Sequence, residues 1–471
     1  MIDGSLADLL LMDVEFGLTS ESGRPNPQMA ETCERAQVVF DAERIALAST
    51  PMKVNQRPWP IHPSVTVLDA VAEPILRQWV TRVVECLQLV VWCYSSDAQV
   101  QEALAVPPLL HRWILEHPAP QRLRVDFCRL DLLGDTLGTV KVLEFNASSP
   151  GAALSFGMLN RIWRESHPGA MLDGTAPTLF EHPEWFANWL IGYGRRQGLS
   201  EEDTQRVGIF HSARSAANEY GIMDAQLRRR GRSPLVLRPD EVERADGLRL
   251  GYFKYIPHDF QEPAGWEVFC SRVSSRSLVI PNVLAERFVA ENKLCLAVLS
   301  DPRFRRLFTP EQCRALDALV PYSRKLADGI TCAEAIAGRV QFVLKAPYSC
   351  RGQQVIIGAN TAAADWESAV RAPEHRGWLV QQRIVPQILP TERGHCFRDL
   401  VVPVLDGQVI GYGSRLSSDR IMNVARGGKM AAVFSPNRCA EAPARAGGGG
   451  VLENAGNRLP AAGEEPAPQM S

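Results

Sequence analysis

Three oxygen-bearing side chains lie close together in the sequence between residues 124 and 151. Asp126 is followed, after turn-forming residues 134–138, by Glu144 and Asn146. Residues two apart on a strand share a face, so the last two side chains would lie side by side. Such oxygens suit Mg²⁺, which takes one or two carboxylates and completes its octahedron with phosphates and water. The spacing predicts a metal site at Asp126, Glu144 and Asn146.

The strand register decides which aspartate shares that face. If even-numbered residues pair with even, Asp126 joins Glu144 and Asn146, whereas a one-residue slip exchanges Asp126 for Asp131. Acidic residues also alternate on solvated surface hairpins, and that interpretation suffices for Asp126 or Glu144 alone. The whole run, which ends in Pro-Gly at residues 150–151, favours a site.

Two lysines are placed to contact phosphates. Lys345 ends the apolar run 342–344 and precedes a loop with Arg351 and Gly352. A strand-end ammonium can point at phosphates while backbone N–H groups of the loop cover them. Lys293 opens a helix-like segment and could reach a phosphate as well. Each lysine alone is equally typical of an ordinary strand end or surface.

Arg398 and Arg415 lie in a hairpin-rich segment near residues 423–429. Arginine stays charged and binds oxyanions bidentately, which suits a transferring phosphoryl group. The strand at residues 380–384 includes Gln382, and its backbone could hydrogen-bond an adenine edge. The alternative is a hairpin surface decorated with polar residues.

The patterning around these residues predicts the elements that position them. Residues 123–133 and 140–146 form a hairpin, and residues 397–405 turn at an Asp-Gly pair into 408–412. Residues 205–240 read as strand, helix and strand, and further strands are expected at 340–345 and 378–384. Thr309 and Gln312 form a capping box that begins a helix, and residues 70–93 are helix-like.

Composition limits the function classes. The chain has 471 residues, 45% hydrophobic and 22% charged, and its net charge of −2 favours neither nucleic acid nor an anionic membrane. Its 11 cysteines are scattered without a C-x-x-C pair, as in a cytoplasmic protein with reduced thiols. The longest apolar runs, such as residues 87–93, fall short of the ~20 residues that span a bilayer.

Taken together, these segments resemble the ATP-grasp superfamily. Residues 124–127 with 144–151 are similar to its metal-binding end, Lys345 with its loop to its nucleotide lysine and phosphate loop, and Lys293 to the lysine that opens its nucleotide domain. In the usual members the lysines come first and the metal carboxylates last. Here the order is reversed, which resembles the circularly permuted branch with its glutathionylspermidine synthetase-like carboxylate–amine ligases.

The resemblance implies an α/β (α+β) fold in which the metal hairpin folds back beside the C-terminal half. The expected organisation, in chain order, is a helical region, a metal-binding part, a small Rossmann-like pre-ATP-grasp domain, a nucleotide-binding part and a flexible tail: residues 1–118, 119–200, 201–290, 291–438 and 439–471.

The resemblance also implies an activity. A carboxylate would be activated by ATP with Mg²⁺ as an acyl phosphate, and an amine would then attack; both partners would be small molecules such as amino acids, peptides or polyamines. The implied nucleotide-binding residues are Lys293, Lys345, Arg351, Gly352 and Gln382, and the implied catalytic residues are Arg124, Arg398 and Arg415. Two alternatives stay open: a kinase acting on a hydroxyl, and a nucleotide-binding protein without turnover.

Overall fold

The computed structural model describes residues 11–13, 61–117, 125–148, 150–166, 175–211, 218–254, 266–349, 352–391, 394–419 and 427–435. The chain divides into two units, Met1–Asn437 and Arg438–Ser471, and the described residues belong to the first. Arg124, Arg351 and the expected tail lie outside the described residues.

The described strands, in chain order, are β1 Leu11–Asp13, β2 Ile61–Leu68, β3 Phe127–Leu133, β4 Lys141–Asn146, β5 Arg206–His211, β6 Ser233–Leu237, β7 Leu250–Lys254, β8 Ser323–Lys325, β9 Phe342–Lys345, β10 Val355–Ile357, β11 Leu379–Gln382, β12 Gln387–Thr391, β13 Gly394–Arg398, β14 Leu400–Leu405, β15 Gln408–Val409, β16 Tyr412–Ser417 and β17 Lys429–Phe434.

The described α-helices are α1 Ala72–Cys93, α2 Ala98–Leu104, α3 Pro108–Glu116, α4 Ala153–Ser166, α5 Trp185–Arg196, α6 Asn218–Arg229, α7 Trp266–Ser274, α8 Leu284–Glu291, α9 Cys295–Ser300, α10 Pro310–Leu319, α11 Cys332–Ala337 and α12 Ala363–Arg371. Within the described ranges, no helix is long and apolar enough to cross a bilayer.

The largest sheet joins both ends of the described chain. Its order is β1-β2-β17-β16-β14-β3-β4, with β13 beside β16, β12 beside β13 and β15 beside β14. Strand β3 pairs antiparallel with β14 over six residues, so the hairpin of β3 and β4 lies against strands some 270 positions later. Strand β2 pairs with β17, so residues 1–118 also contribute to this sheet and are not only helical.

Both faces of this sheet are covered by apolar side chains. Leu130 and Leu132 of β3 pack into one core together with the fully buried face of α1, and Phe127 and Val401 pack into a second core with α4. Apolar residues three and four apart give α1 its buried stripe. The Asp69 carboxylate accepts hydrogen bonds from the N–H groups of Val71 and Ala72, 2.8 Å each, where the helix begins.

Two smaller sheets complete the mixed α/β fold. A parallel sheet of order β6-β5-β7, with α6 connecting β5 to β6, confirms the expected strand–helix–strand unit. An antiparallel sheet of order β10-β9-β11-β8 carries Lys345 at the end of β9. The capping box is confirmed: Thr309 Oγ1 accepts from Gln312 N–H at 3.2 Å, and Gln312 Oε1 accepts from Thr309 N–H at 3.0 Å.

The predicted strand at residues 397–405 is instead two strands. Strand β13 ends at Arg398 and β14 begins at Leu400, with Asp399 between them. The Asp399 carboxylate accepts a hydrogen bond from the Arg415 N–H at 2.8 Å. The break therefore depends on a partner in β16, which no local pattern reveals. The Asp-Gly turn that joins β14 to β15 is confirmed, and both of its residues have positive φ, 51° and 77°.

Candidate functional site

The register of β3 with β4 selects the aspartate beside Glu144. Asp131 pairs with Glu144 and Arg129 with Asn146. Paired residues of neighbouring strands point to the same face. The face therefore carries Arg129, Asp131, Glu144 and Asn146, and the register that would put Asp126 there is wrong.

Asp126 instead precedes β3 and exchanges hydrogen bonds with the buried Asn282. Its carboxylate accepts from the Asn282 N–H at 3.1 Å, and Asn282 Oδ1 accepts from the Asp126 N–H at 2.7 Å. Within residues 123–133 the spacing Arg-x-Asp occurs twice, at residues 124–126 and 129–131. Only the second copy lies within β3, so this repetition is a sequence signal for Asp131, the alternative that a one-residue change of register offers.

Asp131 lies between two arginines. Arg129 binds its carboxylate with both Nε and Nη2, at 2.7 and 2.9 Å, and Arg415 Nη2 binds it at 2.8 Å. Burial disfavours the charge, but the two guanidinium groups outweigh it and lower the pKa of Asp131 to about 2. Asp131 is therefore a fixed negative charge.

Arg415 and Arg398 lie on opposite faces of the large sheet. Arg415 Nε donates to Asp399 at 2.8 Å, on the Asp131 face. Arg398 pairs in register with Leu416, the residue after Arg415, so its side chain points the other way, where Nη1 donates to Thr66 Oγ1 at 3.1 Å. The structure brings Arg415 to Asp131 and does not bring Arg398 there.

Lys293 joins Glu144 to the loop that follows β9. Its Nζ lies 3.3 Å from Glu144 Oε2 and donates to the Ser349 carbonyl at 2.7 Å. Its N–H also donates to the Pro347 carbonyl at 3.0 Å. One lysine therefore contacts both predicted halves of the site, the carboxylate face and the phosphate loop.

Lys345 bridges the four-stranded sheet to β4. Its Nζ donates to Gln381 Oε1 at 2.6 Å and to the Leu143 carbonyl at 3.2 Å. Burial lowers the pKa of Lys345 to about 8, with Lys293 acting in the same direction and Glu144 opposing it. We call Arg129, Asp131, Glu144, Lys293, Lys345 and Arg415 the cation–carboxylate cluster.

Two other predicted nucleotide residues lie nearby in different roles. The Gln382 side chain is exposed and its N–H donates to the Tyr322 carbonyl at 2.8 Å, so Gln381 is the glutamine that contacts Lys345. Gly352 has a φ of 67°, which a glycine adopts at little cost. The two neighbouring glutamines therefore differ: the Gln381 side chain is buried and contacts Lys345, whereas the Gln382 side chain is exposed.

One further carboxylate, Glu291, lies beside the cluster, and the sequence patterns did not single it out. Glu291 ends α8, two residues before Lys293, and its Oε2 accepts from the N–H groups of Ala147 and Ser148 at 2.7 and 2.8 Å. Burial raises the pKa of Glu291, Glu144 adds to the effect, and Lys293 with the two N–H groups opposes it. Its closeness to Lys293 in sequence was the available signal.

The donor set fits Mg²⁺ only in part. Across the described residues, no group of three or more His, Cys, Asp or Glu side chains is arranged to hold a metal. Glu144, with its side chain 30% exposed, and Asn146 present oxygens on one face, beside Asp131, whose oxygens are taken by arginines. Such a site suits an ion that needs one or two carboxylates and takes its other ligands from phosphates and water.

Comparison with known proteins gives structural likeness only. The chain matches no protein-family model and no curated protein. Among solved structures, it is similar to a glutathione synthetase-like effector from Globodera pallida in its apo form, at 12% identity and a TM-score of 0.49, covering 87% of this chain and 99% of that one. It is also similar to a protein assigned as a gamma-glutamylcysteine synthetase from Methylobacillus flagellatus, at 11% identity and a TM-score of 0.36, covering 75% of this chain and 86% of that one.

Proposed function

We propose that the protein is an ATP-dependent carboxylate–amine ligase of the circularly permuted ATP-grasp type. The observation that carries the proposal is the convergence of two distant lysines on the end of β4: Lys293 pairs with Glu144, and Lys345 donates to the carbonyl of the preceding residue, Leu143, although these three segments lie 52 to about 200 positions apart in sequence. Two ammonium groups and a carboxylate face at a junction of two sheets are the groups that an ATP–metal complex requires.

Lys345 supports phosphate binding in particular. Its ammonium donates to a side-chain amide oxygen and a carbonyl, both neutral, and the lowered pKa of Lys345 reflects a charge that burial disfavours. An anionic group beside Nζ would relieve that cost, because a nearby opposite charge favours the charged form. Phosphate oxygens are such a group. Lys293 Nζ lies 3.3 Å from Glu144 Oε2, beside the same end of β4, so it would contact the same phosphates.

Glu144 and Asn146, with Asp131 beside them, would hold Mg²⁺. A bound Mg²⁺ would supply positive charge that neutralises the phosphates. Arg129 and Arg415 keep Asp131 ionised and fixed on this face, and Arg415 adds positive charge near the transferring phosphoryl group. Arg124, Arg351, Gly352 and Gln382 keep their predicted roles in this proposal, whereas Arg398 points to the opposite face of the large sheet and is given no catalytic role.

The reaction needs no protein nucleophile. A substrate carboxylate oxygen would attack the terminal phosphorus of ATP, forming an acyl phosphate as the bond to ADP breaks. An amine nitrogen would then attack the acyl carbon, form the amide and release phosphate. A hydroxyl kinase would want a positioned base, whereas Glu144 and Asp131 are engaged by cations and Glu291 by backbone N–H groups.

Oxygen-isotope transfer tests the proposal. Candidate amino acids and peptides labelled with ¹⁸O in the carboxylate should yield labelled phosphate only when ATP and an amine are present. The matched control is Lys345→Met, which should release none above background. A stable phosphate ester without labelled phosphate would establish the kinase instead, and bound ATP without turnover of any acid and amine pair would leave a binding protein.

A further inference from the structure

One buried dipeptide connects the metal face to α8. Ala147 and Ser148 directly follow Asn146, and both are fully buried. All their backbone polar groups have partners: the two N–H groups donate to Glu291, the Ala147 carbonyl accepts from Asn282 Nδ2 at 2.9 Å, and the Ser148 carbonyl accepts from Arg287. The Ser148 hydroxyl donates to the Arg287 carbonyl at 3.1 Å.

Glu291 is the part of this arrangement that also faces the cluster. A single oxygen, Oε2, takes both N–H groups, and its charge interacts with Lys293 and Glu144. Lys293 follows two residues later and contacts Glu144 and Ser349. The end of α8 therefore connects the C-terminal end of β4 to Lys293: the Glu291 carboxylate binds the backbone after β4, and Lys293 follows Glu291 by two residues.

We propose that Glu291 is a positioning residue, which fixes the backbone after Asn146 so that Glu144 and Asn146 present their oxygens beside Lys293. The inference rests on the proposed function, since it assigns those oxygens to the metal of a metal–nucleotide complex. Groups that orient metal ligands through hydrogen bonds change metal affinity by roughly 10–100-fold when removed. The requirement is for an oxygen at the reach of a glutamate side chain, and not for the negative charge as such.

Two conservative variants separate reach from charge. Glu291→Gln keeps an oxygen at the same distance and removes the charge, whereas Glu291→Asp keeps the charge and withdraws the oxygen by one methylene. Affinity for a non-hydrolysable ATP analogue is measured by calorimetry on the full chain, with Mg²⁺ and with a chelator. The control is Glu367→Ala, which removes a side chain that is 48% exposed and pairs with Arg371.

The positioning role predicts that Glu291→Asp binds the ATP analogue roughly 10–100-fold more weakly than wild type in Mg²⁺, and with little change in the chelator. The analogue affinities of Glu291→Gln and of the control should stay within about threefold of wild type. An unaffected Glu291→Asp, or a Glu291→Gln as weak as Glu291→Asp, would overturn it. Thermal melting of both variants is compared, and a drop in affinity that is equal with metal and with chelator also counts against the role. Absence of nucleotide binding by the wild type would refute the proposed function instead.

Discussion

The buried Lys345 makes a prediction about stability as well as about binding. Burial lowers its pKa from the ordinary 10.5 to about 8. Between these values the unfolded chain binds more protons than the folded one, so this residue makes the free energy of unfolding rise with pH from about 8 to 10.5. Below that window, the penalty for the buried ammonium is fully present, and it corresponds to roughly 3 kcal/mol.

Lys345→Met removes the titrating group and keeps much of the side-chain volume. The difference in unfolding free energy, wild type minus variant, should therefore grow by up to roughly 3 kcal/mol between pH 7 and pH 10. Groups that titrate in both proteins cancel in this difference. The lost hydrogen bonds to Gln381 and Leu143 shift the whole difference but do not give it this slope.

The assay is urea unfolding of both proteins at pH 7, 8, 9 and 10, with calorimetric ATP affinity at pH 7. Lys325→Met, which removes a lysine paired with Asp328 at 3.3 Å, is the control. ATP affinity of Lys345→Met should fall by roughly 1.5–3 kcal/mol, the value of a charged hydrogen bond. Parallel stability curves for wild type and Lys345→Met would refute the buried-charge reasoning, and unchanged ATP affinity would refute the phosphate role.

Two further predictions concern Asp131 and the C-terminal segment. Asp131→Asn should lower the free energy of unfolding by roughly 3–5 kcal/mol, because it leaves Arg129 and Arg415 without their shared carboxylate. Urea unfolding measures this, with Asp317→Asn as the control, since the Asp317 side chain is 65% exposed. A difference between the two variants below about 1 kcal/mol would contradict the role given to the ion pairs. Truncation after Cys439 should leave melting temperature and activity intact, since 18 of residues 439–471 are alanine, glycine or proline; a large loss in either would show that the segment packs on the rest of the chain.

Local signals predicted the elements whose hydrogen bonds are local. The capping box of Thr309 and Gln312 and the Asp-Gly turn after β14 are fixed by residues within a few positions of each other, so the sequence was enough. The register of β3 with β4 was not predictable in this way. It includes an irregularity between Asp131 and Leu132 and is shared with β14, so it depends on pairing with a distant strand.

The site residues show the same contrast between local signals and distant partners. Lys293, Lys345 and Glu144, which the structure brings together, were predicted as site residues because their residue types and flanking patterns indicate chemistry. Arg129 and Glu291 were missed because their importance comes from partners: Asp131 across the face for one, and Ala147 and Ser148, some 144 positions away, for the other. A motif identifies the groups that act on a ligand more readily than those that hold the acting groups in place.

The ion pairs of the cluster indicate how a nucleotide would enter it. Lys293 now uses Glu144 and the Ser349 carbonyl as partners, which are the groups nearest to the proposed metal and phosphate positions. A metal alone would have to displace Lys293 from Glu144 and leave its ammonium with one acceptor, and a nucleotide alone would leave Glu144 without its cation. If both bound as proposed, Lys293 would exchange a carboxylate for phosphate oxygens and Glu144 would exchange an ammonium for the metal, so neither charge would be left without a partner. Under the proposed function, the arrangement of Lys293 and Glu144 would therefore favour joint binding of metal and nucleotide over binding of either one.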